Sequence, residues 1–175
     1  MIEDGAVTLH SNTYIKQIIS KFNMEDAVGH DNPCVSKLKE TKLTMEEEHQ
    51  MKAKPYAALV GSLIWLSITT RPDISYATSQ VVRFMSNPSQ EHWTAAKQVL
   101  KYLISTPALG LHFTSTGSGI TMTTHSDSDW GGELDQRRST TGTVCALNKS
   151  VVDCVKYSNE RCLALQFEFT SFLMF

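Results

Sequence analysis

The segment from Thr124 to Gly142, THSDSDWGGELDQRRSTTG, brings together residue types that could do chemistry. Asp127 and Asp129 are two residues apart, so in a β-strand both carboxylates would lie on one face. Mg²⁺ prefers hard oxygen ligands, and a two-metal nuclease needs several carboxylates that converge on the ions. The alternative is an acidic strand end that lies in water before the Gly-Gly turn. The spacing alone leaves both interpretations open.

Basic side chains could supply a second kind of chemistry, the binding of phosphate groups. Arg137 and Arg138, followed by two hydroxyl residues, could bind phosphate oxygens or could form a solvated turn before a strand. Lys97 and Lys101 share one face of a predicted helix, and with Arg83 on the preceding helix they could contact a nucleic-acid backbone. Exposed lysines on an amphipathic helix can also serve solubility alone.

The composition narrows the class of protein. Hydrophobic residues make up 41% of the 175 residues and charged residues 19%, which is enough for a core and unlike a disordered chain. The net charge of −2 excludes a strongly basic nucleic-acid binder, so any such surface must be local. The longest apolar run, AALVGSLIWL, is too short to span a bilayer, and the N-terminus lacks a secretory pattern. The four cysteines form no C-x-x-C pair, so we expect reduced thiols in an intracellular protein, cytoplasmic or nuclear.

Helical patterns dominate the first part of the chain. Apolar residues at helical spacing predict a helix over 11–24, and a capping box beginning at Thr44 predicts a short second helix. Residues 55–69 read as a buried helix that is broken or eased at Gly61. Residues 72–105 predict a helical hairpin in which Pro88 ends the first helix and Ser89 caps the second, with Trp93 in the apolar stripe.

After Pro107 the pattern changes to short β-rich segments that are separated by turn residues. The strands are expected in LGLHFTS, GITMTTHSDSD, TTGTVCALN and SVVDCVKYS, with turns at 117–119 and at Asn148. The sequence therefore predicts an α+β chain, in which helices fill residues 1–108 and a partial antiparallel sheet fills residues 109–175.

Two longer segments of the sequence identify a family more specifically than these patterns do. The segments YAALVGSLIWLSITTRPDISYATSQVVRFMSNPSQEHWTAAKQVLKYLISTPALGLHF and HSDSDWGGELDQRRSTTGTVCALN resemble the Pol polyprotein of copia-type LTR retrotransposons. The resemblance covers roughly residues 5–165. It implies a reverse-transcriptase C-terminal region with connecting helices over 1–108, and an incomplete ribonuclease H-like domain over 109–175.

The resemblance also implies site residues and partners. Asp127 matches the first Mg²⁺-binding carboxylate of the family's ribonuclease H, whereas Asp129 is not assigned a metal. The implied partners are an RNA–DNA hybrid or another nucleic acid and the rest of a Pol polyprotein. If the chain is instead a non-catalytic binding module, its hybrid-facing surface would consist of Arg83, Lys97, Lys101, Arg137 and Arg138. No membrane partner is expected.

The chain departs from the family pattern at its catalytic positions. The polymerase tyrosine–aspartate–aspartate motif lies upstream in the family, and Phe169 stands where the family's ribonuclease H has a Glu. Glu168 is one residue away, which turns a helical side chain by about 100°. We therefore expect a truncated copy that is catalytically inactive. The alternative is a non-catalytic module that binds nucleic acid or a protein partner.

Overall fold

The computed structural model describes residues 2–3, 6–34, 38–114, 121–129, 139–148 and 150–159. The chain divides into two compact units. One unit comprises Ser11–Leu109, and the other comprises Met1–His10 with Gly110–Phe175. Residues 1–10, which were predicted to belong with the helices, therefore cluster with the strands.

The unit of residues 11–109 is built from helices around one apolar core. Its helices are α1 (Asn12–Lys21), α2 (Met45–Lys52), α3 (Tyr56–Thr69), a 3₁₀ turn (Pro72–Ile74), α4 (Ser75–Val82) and α5 (Gln90–Ser105). The core consists of residues that recur at helical spacing, chiefly Ile15, Ile18, Leu59, Leu63, Leu66, Val81, Ala96, Leu100 and Leu103. The predicted helical segments are thus confirmed, and their apolar stripes meet in this core.

Two helices begin at side-chain caps that the sequence predicts. At α2, the Thr44 hydroxyl accepts from the Glu47 backbone N–H at 3.3 Å, and the Glu47 carboxylate accepts from the Thr44 N–H at 2.8 Å. At α5, the Ser89 hydroxyl accepts from the His92 N–H at 3.4 Å, while His92 Nδ1 accepts from the Ser89 N–H at 2.9 Å. A histidine therefore takes the place that Glu or Gln usually has in such a box.

Two details of the helical prediction are wrong. Helix α3 runs without a break through Gly61, whose position in the helix is exposed. Helix α4 ends at Val82, well before Pro88, because i to i−3 hydrogen bonds from the N–H groups of Phe84 and Met85 close a turn there. In α5 the predicted stripe residue Trp93 is half-buried and packs against the core, and its neighbour His92 is fully buried.

The described part of the other unit contains two three-stranded antiparallel sheets. The first has the order β1 (Ile2–Glu3), β2 (Ala6–Leu9) and β3 (Leu111–Thr114). Neither β1 nor β2 is predicted from the sequence. The second sheet has the order β4 (Met122–Asp129), β5 (Ser139–Leu147) and β6 (Ser150–Asn159). All four strands expected after Pro107 are confirmed, as is the mixed α+β composition.

A short turn joins β5 to β6 and also contacts the start of β4. Asn148 has a φ of 47°, in the left-handed region where Asn is tolerated better than most residues. Its side-chain carbonyl accepts from the Thr121 N–H at 2.8 Å, and its own N–H donates to the Thr121 carbonyl at 2.8 Å. The expected turn at 117–119 lies outside the described residues. Among the residues that are described, no helix is long and apolar enough to cross a membrane.

Candidate functional site

The predicted metal-binding carboxylate lies near the C-terminal end of β4. Asp127 is paired in register with Gly142 on β5, and its side chain is exposed. Asp129 is paired with Thr140 two residues further along the strand. Within the described ranges, no group of three or more His, Cys, Asp or Glu side chains comes close enough together to hold a metal ion. Asp127 is thus an accessible carboxylate that belongs to no metal-binding group within the described residues.

Two other predicted elements lie between β4 and β5 and near the C-terminus of the chain. Arg137 and Arg138 lie outside the described residues, between β4 and β5. Phe169, which the resemblance puts at the position of the family's ribonuclease H Glu, and the adjacent Glu168 also lie outside them. Their assignment therefore stays a prediction from the sequence.

The predicted lysine pair lines a groove along α5. Trp93, Lys97 and Lys101 follow one another at four-residue spacing, so they form a single stripe along the helix. They enclose a half-open cavity of about 160 Å³, which is also lined by His30, Gln90, Thr94 and Gln98. We call this cavity the α5 groove. It combines an aromatic surface with two cations, and both lysines are half-buried.

A loop that precedes the groove in sequence forms its far side. The N–H of His30 donates to the carbonyl of Lys101 at 3.2 Å. The Gln98 amide donates to the carbonyls of Asn32 at 3.2 Å and Cys34 at 2.9 Å. These bonds fasten the loop to α5 and fix the width of the groove. His30 and Gln98 were not predicted as site residues, since only the fold brings the loop to the helix.

The third predicted cation, Arg83, lies just after α4. It is exposed, and its guanidinium carbon lies 5.3 Å from the centroid of the Phe84 ring. This geometry is typical of a cation–π contact. The structure therefore places Lys97 and Lys101 together in one groove, while Arg83 packs on its own neighbour.

The sequence motif T-R-P-D-I contains a cluster whose role is structural. The Arg71 side chain is completely buried and forms an ion pair with Asp73 at 2.8 Å. It also donates to the backbone carbonyl of Thr106 at 2.9 Å. A buried, paired arginine of this kind has no exposed N–H group left for a ligand.

Several curated proteins that are similar to this chain are named as transposon proteins. The chain is 35% identical over 161 residues to the retrovirus-related Pol polyprotein from transposon TNT 1-94 of Nicotiana tabacum, a match that covers 90% of this chain and 12% of the relative. It is 36% identical over 144 residues to the Pol polyprotein from transposon RE1 of Arabidopsis thaliana, covering 79% of this chain and 9% of that relative. The chain thus spans only a small part of the Pol polyproteins that it matches.

A shorter relative has a different description. The chain is 40% identical over 111 residues to the secreted RxLR effector protein 161 of Plasmopara viticola, a match that covers 63% of this chain and 75% of the relative. No family model matches the chain, and no solved structure matches it.

The Pol relatives define the class, which is that of proteins encoded by transposable elements. Within this class, the chain belongs to the family of copia-type retrotransposon Pol polyproteins, of which it represents a fragment.

Proposed function

We propose that the helical unit corresponds to the C-terminal and connecting region of a reverse transcriptase, and that the strands after it correspond to the beginning of a ribonuclease H-like domain. The observation that carries this proposal is the antiparallel β4–β5–β6 sheet, which follows the helices and has Asp127 on its first strand. The ancestral role is then DNA synthesis on an RNA template, followed by cleavage of the RNA strand in the RNA–DNA hybrid.

This chain itself is proposed to be catalytically inactive. The family resemblance assigns it one ribonuclease H carboxylate, Asp127, and puts Phe169 at the position of the next. Hydrolysis by the two-metal route needs several carboxylates to hold both Mg²⁺ ions, and a single exposed aspartate does not suffice. The residues of this chain also contain no Y-x-D-D motif for a polymerase metal pair.

A cleavage assay tests the proposed inactivity. The purified chain is incubated with an end-labelled RNA–DNA hybrid in millimolar Mg²⁺, beside its Asp127→Asn variant. We expect the same background cleavage for both proteins, because the family resemblance assigns no second ribonuclease H carboxylate to this chain. Mg²⁺-dependent cleavage that disappears in the Asp127→Asn variant would show that the chain is an active nuclease.

The activity that remains is proposed to be non-catalytic binding of the hybrid in the cytoplasm or nucleus. The phosphates would be contacted by Arg83, Lys97, Lys101, Arg137 and Arg138. The observation that supports this role for Lys97 and Lys101 is that both line the α5 groove. Each lost phosphate contact should lower the slope of log affinity against log salt by about 1. We therefore expect a slope lower by about 2 for the Lys97→Gln, Lys101→Gln double variant.

Fluorescence anisotropy with a labelled RNA–DNA hybrid measures this slope. The matched control is the Lys16→Gln, Lys52→Gln double variant, which removes the same charge from exposed positions on α1 and α2. If both double variants lost the same affinity, the loss would be due to net charge and not to the positions of Lys97 and Lys101. Absence of salt-sensitive hybrid binding in the unchanged chain would refute the proposed binding role.

A second candidate function is the binding of a protein partner, such as the rest of a Pol polyprotein. The observation that favours it is an exposed, uncharged face of α3, formed by Ala57, Ala58, Gly61, Trp65 and Ile68. Trp65 is 45% exposed and Ile68 is 75% exposed, and exposed apolar patches often mark interaction sites. Loss of a partner's binding in an Ile68→Ser variant that still binds the hybrid would support this candidate.

A further inference from the structure

The α5 groove has a feature that phosphate binding alone does not require. Its stripe begins with an aromatic residue, Trp93, and continues with the two cations Lys97 and Lys101. Successive members of the stripe are separated by roughly 6 Å along the helix axis, since each residue rises 1.5 Å. A flat ring followed by two cations matches a chain that alternates flat bases with phosphates.

Trp93 is held in place from one side. Its ring meets the ring of Phe22 at an interplanar angle of 63° and a centroid distance of 6.4 Å, an edge-on contact. The indole is half-buried and still forms part of the groove wall. An anchored aromatic ring loses little conformational freedom on binding, which makes it a suitable stacking surface.

The dimensions and walls of the groove restrict what can enter it. A cavity of about 160 Å³ is below the usual range for drug-sized ligands, so it can admit part of a nucleotide but not a base pair. The Gln98 amide is engaged by the loop carbonyls of Asn32 and Cys34, so it shapes the wall. The two lysines provide the positive charge of the groove.

We propose that the α5 groove binds one nucleotide of a single-stranded nucleic acid. The unpaired base stacks on Trp93, and the adjoining phosphates contact Lys97 and Lys101. In a duplex both faces of a base are covered by its neighbours, whereas an unpaired base can offer a face to an aromatic side chain. This inference rests on the proposed binding of nucleic acid and deepens it, because it assigns the groove to the unpaired end of a template or primer.

Tryptophan fluorescence tests the stacking directly. The chain has three tryptophans, so the Trp65→Phe, Trp130→Phe double variant leaves Trp93 as the sole indole. This protein is titrated with oligothymidylate and with an abasic phosphodiester strand of equal length. We expect saturable quenching by oligothymidylate and binding of the abasic strand that is weaker by roughly tenfold or more, because stacking of a base contributes a substantial part of the affinity.

Two further variants distinguish the contribution of base stacking to the affinity from the contribution of charge. Lys97→Gln, Lys101→Gln in the same background should weaken both strands, while Lys16→Gln, Lys52→Gln should leave the ratio of their affinities unchanged. Oligothymidylate that binds without any change in Trp93 emission, or as tightly as the abasic strand, would overturn the inference. Quenching that the Lys97 and Lys101 substitutions leave unaffected would overturn it as well.

The outcomes also distinguish this inference from the proposed function. Salt-sensitive binding of the hybrid, together with no response of Trp93 to single strands, would leave the proposed binding role intact and reject the groove as its single-strand site. Quenching by single strands with no binding of the hybrid would support the groove and reject hybrid binding.

Discussion

Arg71 and Asp73 form a two-pronged ion pair across one intervening proline. The guanidinium donates from Nε to Oδ1 at 3.0 Å and from Nη2 to Oδ2 at 2.8 Å. Its remaining donors reach Thr106, whose carbonyl and hydroxyl oxygens lie 2.9 and 2.7 Å away. The ring of Tyr102 lies 5.5 Å from the guanidinium carbon. This cluster fastens the junction between α3 and α4 to the C-terminal end of α5.

Substitution of Arg71 by lysine should destabilise the helical unit by about 2–4 kcal/mol, because an ammonium cannot form the planar fork and leaves a buried carbonyl unpaired. The free energy of unfolding is measured by urea denaturation. The matched control is Arg83→Lys, at an exposed position where the change should stay within about 0.5 kcal/mol. Equal stability of the two variants would contradict the structural role of Arg71.

His92 is a buried side chain whose two ring nitrogens are both hydrogen-bonded. Nε2 donates to the carbonyl of Lys39 at 3.0 Å, in the tautomer that leaves Nδ1 to accept from the Ser89 N–H at 2.9 Å. The ring is stacked on Phe84, with centroids 3.7 Å apart. Burial lowers the pKa of His92 from its ordinary value of 6.5, although the bond to the Lys39 carbonyl opposes the shift. The folded state therefore favours the neutral ring.

The stability of the helical unit should decrease as the pH falls from 6.5 towards the lowered pKa of His92. In this window the unfolded chain binds a proton that the folded chain does not, so acid favours unfolding. Above pH 6.5 the contribution is fully present. Urea denaturation across this range should show the decrease in the unchanged chain and in His49→Gln, which alters an exposed position on α2. If the His92→Gln variant lost as much stability at low pH as the unchanged chain, the pH dependence would come from another group.

Most of the helices and the second sheet could be predicted because their signals are local. The stripe of Ile15 and Ile18 and the caps at Thr44 and Ser89 depend on residues within one or two turns. Strand β2 could not be found in this way. It pairs with β3 more than a hundred residues later, with Val7 opposite Phe113, and its own segment is short. The stabilising contacts are non-local, so the local pattern carries little information about them.

The two lysines of the α5 groove could be predicted from the sequence, but the residues that form the walls of the groove could not. Spacing on α5 was enough to pair Lys97 with Lys101. The loop around His30, which completes the groove, is polar and aperiodic, and its position depends on hydrogen bonds to α5. The burial of Arg71 could not be predicted from the sequence either, because arginine is usually exposed. Only the tertiary contacts of its guanidinium reveal its structural role.

Mg²⁺ should not stabilise the strand-containing unit through Asp127. A ligand raises the melting temperature only when it binds the folded state better than the unfolded one, and a single exposed carboxylate binds Mg²⁺ weakly. We expect the same melting temperature in millimolar Mg²⁺ and in NaCl of equal ionic strength, for both the unchanged chain and Asp127→Asn. A Mg²⁺-specific increase that the Asp127→Asn variant loses would demonstrate a metal site at this carboxylate.

Gly61→Ala should stabilise α3 by about 0.5–1 kcal/mol. Glycine in a helix interior loses more conformational freedom on folding than alanine does, and nothing lies within 4 Å of the position that a Cβ would occupy at Gly61. The opposite change is expected for Gly110→Ala, whose Cβ would overlap the backbone carbonyl oxygen of Leu9. Thermal denaturation of both variants measures the two effects. Destabilisation by Gly61→Ala would contradict the open, exposed position of Gly61 on α3.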